Sequence, residues 1–128
     1  MVNDITMENM QPGGMPEDDC MHVVMFYGTT CGPCKATMPH YEDISNHYEK
    51  LDMKIKFHRI DAWTPEEQAE YCKEVWEIQG VPTFKIFYGG HVLHNHTGGG
   101  DYKKLHEIFE FCINRIKNEF NQGLQNES

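Results

Sequence analysis

The spacing of apolar residues changes several times along this chain, and each change marks an element. Residues 21–28, Met-His-Val-Val-Met-Phe-Tyr-Gly, form an almost unbroken apolar run with one histidine, His22. Such a run reads as a strand buried on both faces. Residues 34–51 read as a helix with Pro39 inside it. That proline removes one N–H and crowds the preceding turn, so a kink is expected there. Residues 53–61 alternate: Met53, Ile55 and Phe57 share one face, and Lys54, Lys56 and His58 the other. This is the two-residue period of a strand. Thr64-Pro65-Glu66-Glu67 reads as a helix start. Thr64 is the expected cap, Pro65 the first helical residue and Glu67 the partner that closes a capping box. That helix runs to about Trp76. Residues 83–88 and 91–96 are two further strands joined by the tight turn Gly89-Gly90. Gly98-Gly99-Gly100 reads as a flexible loop, and Asp101 caps a last helix. On that helix Leu105, Ile108, Phe109, Cys112, Ile113 and Ile116 recur at helical spacing.

The element order is strand, helix, strand, helix, hairpin, helix. A crossover helix between the first two strands makes them parallel, and the hairpin pair is antiparallel. The expected fold is therefore a three-layer α/β/α sandwich around a mixed sheet. Four strands are expected, with a fifth only if residues 1–20 supply one. Gln11-Pro12-Gly13-Gly14 breaks any regular element, so residues 1–20 read as a flexible lead-in with at most a helical turn. Residues 21–120 form one domain on this reading, and residues 121–128 a frayed tail.

Composition narrows the function. A chain of 128 residues can bury one core. The net charge of −9 opposes phosphate backbones and anionic lipid, so neither nucleic acid nor a membrane is an expected partner. No apolar run approaches bilayer length. Residues 1–20 hold no apolar block and the first basic residue is Lys35, so no secretory signal is expected. The cysteines are Cys20, Cys31, Cys34, Cys72 and Cys112. An odd count with one close pair fits a reducing, cytoplasmic setting better than a secreted disulfide framework.

The close pair carries the candidate chemistry. Cys31-Gly32-Pro33-Cys34 lies between a strand and a helix start, where two thiols can close into a small ring and reopen. A structural zinc clip would need a second such pair, and there is none. Cys31 would sit at the mouth of the helix, where unsatisfied N–H groups favour a thiolate. Cys72 and Cys112 fall on apolar helix faces and read as small core residues. Cys20 reads as an ordinary free thiol, the sharper alternative being a regulatory or dimer-forming one. His94 and His96 share a strand face and could hold a metal, but a polar edge strand explains them as well, and no metal is expected. Trp63 and Trp76 read as packing residues. No glycine-rich dinucleotide fingerprint is present, so no bound NADPH or flavin is expected.

Taken together, Cys31-Gly32-Pro33-Cys34-Lys35, Pro39, Gly80-Val81-Pro82-Thr83, Gly89-Gly90 and Gly98 resemble the thioredoxin family over roughly residues 21–117. The resemblance implies a redox-active Cys31–Cys34 disulfide, with Cys31 attacking substrate and Cys34 resolving the mixed disulfide. Gly32, Pro33 and Pro82 would support the site, with Pro82 cis and facing the cysteines. Tyr27, Thr30, Val81 and Gly98 would form the substrate rim, the Val81 backbone pairing with an extended substrate segment. It also implies a monomeric protein-disulfide reductase acting on disulfide-containing proteins. Electrons would come from a separate thioredoxin reductase using NADPH, or from another dithiol donor. The alternatives are an interaction or stabilising subunit of a larger complex, and a disulfide oxidase or isomerase. Three positions depart from the family's habit. Thr30 stands where a tryptophan is usual, Met25 where an aspartate is usually buried, and Phe57 where a lysine often accompanies it. Replacing both members of a buried acid–base pair leaves neither unpaired.

Overall fold

The computed structural model describes residues 1–126 and contains β1 (Val2–Ile5), β2 (Met21–Tyr27), α1 (Gly32–Lys50), β3 (Ile55–Asp61), α2 (Glu66–Val75), β4 (Thr83–Tyr88), β5 (His91–Thr97) and α3 (Tyr102–Glu119). The strand order is β1-β3-β2-β4-β5. β2 runs parallel to β3 and antiparallel to β4, and β4 and β5 form the hairpin. The hairpin turns through Gly89 and Gly90, both at positive φ (63° and 77°), which glycine adopts without steric cost.

Each face of the central strand packs into its own core. Met21, Val23 and Met25 of β2 join Tyr41, Ile44 and Tyr48 of α1 and Leu105, Phe109, Cys112 and Ile116 of α3. Val24 and Phe26 join Cys72 of α2, Trp76, Ile78 and Met15. The apolar stripe read on the last helix is thus the face buried against α1 and the sheet, and Asp101 caps that helix by accepting from Lys104 N–H at 2.9 Å. Among the described residues no helix is long and apolar enough to cross a membrane.

Several expectations are corrected. The sheet has five strands, because Val2–Ile5 pairs in parallel with β3, Val2 opposite Phe57 and Ile5 opposite Ile60. So short an edge strand carries too little alternation to stand out in a sequence. It is held by its ladder and by an Asp4–Arg59 ion pair. Met15 is also buried. At the other end, Leu124 is buried and its carbonyl accepts from Lys54 N–H at 2.6 Å, while Glu127 and Ser128 of the expected tail lie outside the described residues.

The capping box at Thr64 does not form. The Asp61 carboxylate instead accepts from Trp63 N–H (2.8 Å), Thr64 N–H (3.0 Å) and the Thr64 hydroxyl (2.6 Å), and α2 starts one residue after Pro65. Asp61 thus takes the Thr64 N–H that the Glu67 side chain would accept in a capping box, and engages the Thr64 hydroxyl as a donor. The glycine loop 98–100 is packed: Gly98 N–H donates to the Pro82 carbonyl at 2.8 Å and Gly100 N–H to the Thr37 hydroxyl at 3.3 Å. A Cβ on Gly99 would collide with that hydroxyl. Finally, His58 does not face solvent. It is 6% exposed, because the second face of β3 is covered as well as the first.

Candidate active site

The site is built where β2 ends and α1 begins. Cys31 is the N-cap of α1, with extended backbone angles (φ −80°, ψ 112°), and its sulfur accepts from Cys34 N–H at 3.2 Å. One of the orphan donors of the helix start is therefore aimed at the Cys31 sulfur. Pro33 costs this turn nothing, since its missing N–H would have had no helical partner. Cys31 and Cys34 form a disulfide with their Cα atoms 5.3 Å apart. Cys31 is 6% exposed and Cys34 2%, so Cys31 is the less buried of the two.

The opposite wall comes from the loop before β4. The Val81–Pro82 peptide bond is cis. Cys31 Sγ lies 3.7 Å from the Val81 carbonyl oxygen. Among the residues expected at the rim, Thr30 is exposed and Tyr27, Val81 and Gly98 are half-buried. Gly32 and Pro33 are exposed on the turn between the cysteines. Gly98 reaches this wall through its bond to Pro82 and holds φ at +104°.

A pocket of about 170 Å³ opens beside Cys34, lined by Tyr27, Gly28, Thr29, Lys35, Met38 and Arg59. Two cations and no carboxylate line it. Arg59 lies over the Tyr27 ring, 5.7 Å from its centre, and is fixed from the far side by Asp4. Met25 and Phe57 are fully apolar substitutions in their surroundings. Met25 is wholly buried, and Phe57 packs edge-on against Tyr41 at 5.8 Å and Phe109 at 5.6 Å.

Arg59, Asp4 and Trp63 were not singled out for this region by their sequence context. Arg59 and Asp4 meet only through the β1–β3 pairing. Trp76 is buried edge-on against Phe87, as a packing residue should be. Trp63 is not: it is 45% exposed and rests on Gly28, where a Cβ would collide with the indole.

The remaining thiols are unlike the pair. Burial pushes Cys72 up to about 11 and Cys112 up to about 12, so both stay protonated near neutrality. Cys20 is also raised, by burial first and Asp18 second. His96 has a ring nitrogen 3.2 Å from the Gly99 carbonyl, and His94 packs on Phe111 with ring centres 5.4 Å apart. Among the described residues no three potential metal ligands converge.

Comparison with known proteins agrees with this geometry. The family model described as Thioredoxin matches residues 14–110. A protein disulfide-isomerase from Zea mays is 42% identical over 65 residues, covering 51% of this chain and 12% of the maize protein. Thioredoxin Y, chloroplastic, from Oryza sativa subsp. japonica is 36% identical over 95 residues, covering 74% of this chain and 52% of the rice protein. This chain thus spans a small part of the first and about half of the second. The crystal structure of thioredoxin f from spinach chloroplast superposes with a TM-score of 0.70 at 30% identity, covering 87% of this chain and 92% of that one. On its matched sequence, its sheet order and its helix-capping cysteine pair, this chain belongs to the thioredoxin family.

Proposed function

We propose that the chain is a protein-disulfide reductase, with Cys31 as nucleophile and Cys34 as resolving thiol. The observation that carries this reading is the Cys31–Cys34 disulfide at the start of α1, with Cys31 the less buried of the two and facing the Val81 carbonyl. In the reduced protein, the Cys31 thiolate attacks one sulfur of a substrate disulfide. That bond breaks, a Cys31–substrate disulfide forms, and the other substrate sulfur leaves as a thiolate that takes up a proton. Cys34 then loses its proton and attacks the Cys31 sulfur. The internal disulfide closes and the second substrate sulfur is released. Two electrons have passed from the pair to the substrate.

The helix start favours the Cys31 anion, through the Cys34 N–H and the dipole behind it. Lys35 and Arg59 in the pocket beside Cys34 favour the Cys34 anion when it forms. With Met25 in place of a buried acid, the Cys34 proton goes to the leaving thiolate or to water. The pH–rate profile of the resolving step should therefore show no carboxylate titration.

The oxidised pair must be returned to the dithiol by two electrons from outside. The proposed source is a flavin-dependent thioredoxin reductase using NADPH, or another dithiol donor, with disulfide-bearing proteins as substrates. A monomer in a reducing, cytoplasmic setting is proposed with it, supported by the free Cys20, Cys72 and Cys112. The folded unit is taken to extend past residues 21–120, to include β1 and Leu124.

Insulin-disulfide reduction and the reduction potential, measured together, test this. Turnover with a dithiol donor is expected, at a potential near the about −270 mV of thioredoxin. A potential well above that would indicate an oxidase or isomerase. No turnover with any donor would indicate an interaction subunit.

A further inference from the structure

We infer that Trp63 supplies the aromatic recognition surface of this site, from the loop between β3 and α2. It would bind an apolar side chain next to the disulfide of an extended protein substrate. The inference rests on the reductase reading and adds to it a place and a chemistry for substrate selection.

The dithiol turn itself is poor in grip. Thr30 beside Cys31 is small and polar, and Gly32 and Pro33 present little surface. Apolar area must come from elsewhere if a peptide is to be held. Trp63 is the large exposed aromatic within reach. Its indole lies on Gly28, one residue past the end of β2, and glycine is required there because any side chain would strike the ring. The loop that carries it is pinned in two places. Asp61 accepts from the Trp63 and Thr64 N–H groups, and Ala62 N–H donates to the Tyr27 carbonyl at 2.8 Å. A tryptophan held by its backbone but left 45% exposed on its ring is a surface offered to a partner rather than a core residue.

Its other side faces a shallow pocket of about 190 Å³, whose further walls include Ala69, Lys73, Ile78 and Val81. Val81 is the link to the chemistry. Its carbonyl is the group 3.7 Å from Cys31 Sγ, and it stands in the wall of this pocket as well. Val81 therefore borders both the pocket and the redox site. A segment that adds as a strand along Val81 points alternate side chains to opposite sides. With its disulfide sulfur at Cys31, a neighbouring side chain enters the space between Trp63 and Ile78. Lys73 and Gln79 are the polar members of its wall, and Trp63, Ala69, Ile78 and Val81 supply the apolar surface, so the fitting side chain is leucine-like.

The test uses two oxidised peptides of one sequence, a leucine or a glycine adjoining the disulfide cysteine, and the full-length chain with a dithiol donor. The wild type is expected to show a KM about tenfold lower for the leucine peptide, the scale of one buried aliphatic group in an open pocket. Trp63→Ala should bring the two KM values within twofold of each other. Trp63→Phe should keep most of the preference. A second readout needs no turnover. In a Trp76→Phe variant, emission reports Trp63 alone, and a leucine peptide with serine for cysteine should shift it to the blue saturably. Equal KM values in the wild type, or a preference that survives Trp63→Ala, would overturn the inference. If neither peptide is reduced but the emission shifts, the reductase reading fails and the pocket stands. If neither peptide is reduced and emission does not move, both fail.

Discussion

The two faces of the sheet are built on different terms. The face under α1 and α3 is a continuous aromatic core. Tyr41 lies 5.2 Å from Phe84 and 5.8 Å from Phe57, ring centre to ring centre, and Phe109 closes the group. Its buried tyrosine hydroxyls are paired, Tyr41 donating to the His58 carbonyl at 2.8 Å and Tyr48 to the Glu110 carboxylate at 2.7 Å. The face under α2 is smaller and contains polar groups. Gln68 is buried there, accepting from Met7 N–H and donating to the Asp61 carbonyl. So are His22 and His58. His22 Nε2–H donates to the Asp18 carboxylate at 2.9 Å, and in the neutral ring Nδ1 then accepts from His58 Nε2–H at 3.1 Å. His58 Nδ1 is buried with no partner among the described residues. The lesson is a division of labour. The apolar face anchors the helix that carries the dithiol. The polar face anchors the loop that carries Trp63, and there the cost of buried polar groups makes stability depend on pH.

The largest expected effect belongs to the chemistry. Cys31→Ser should lower disulfide turnover by at least a thousandfold, while thermal unfolding of the reduced variant stays close to that of the reduced wild type. Next comes the apolar face. Phe109→Ala should cost about 3–5 kcal/mol in urea unfolding, since the aromatic group around it cannot collapse to fill the space. That loss should be the same at pH 7 and pH 5.

The polar face should answer to pH. Burial, with His22 and Lys56 adding, holds His58 down at about 4 from an ordinary value of 6.5. Asp18 acts the other way, without reversing the direction. The unfolded chain then binds more protons than the folded one between these values. Stability is full above pH 6.5 and falls as pH drops toward 4, by about 3 kcal/mol from this group. His58→Gln keeps a partner for His22 but does not titrate, so its urea midpoint should vary less over that window. A midpoint that is flat in the wild type would break the comparison. The smallest effect is a local one. Asp101→Ala should remove about 1 kcal/mol by uncapping α3, equally at either pH.

What was legible in the sequence follows the range of the interactions. β2, the hairpin and α3 announce themselves through periodicity, turn glycines and a cap, all within a few residues. Cys31 and Cys34 are near neighbours whose meaning depends on one strand end and one helix start. Pro82 and Gly98 could be placed only through the family resemblance. β1 was hidden because four residues carry no period, and Arg59 was hidden with it, since Asp4 lies 55 residues away. Thr64 misled because a capping signature is local, whereas Asp61 reaches the same donors from the end of a strand. Trp63 has no signal of its own. Its meaning comes from Gly28, a residue in another strand's loop whose missing side chain makes room for the ring.

The most direct test of the central claim is capture on a single sulfur. Reduced Cys34→Ser and reduced Cys31→Ser proteins are each mixed with oxidised insulin, and the products are read by intact mass and peptide mapping. A stable mixed disulfide on Cys31 is expected in the Cys34→Ser protein, with little adduct on Cys34 in the other, because Cys31 is the less buried of the pair and accepts the helix-start N–H. Comparable capture on Cys34, or no capture on Cys31, would contradict the account.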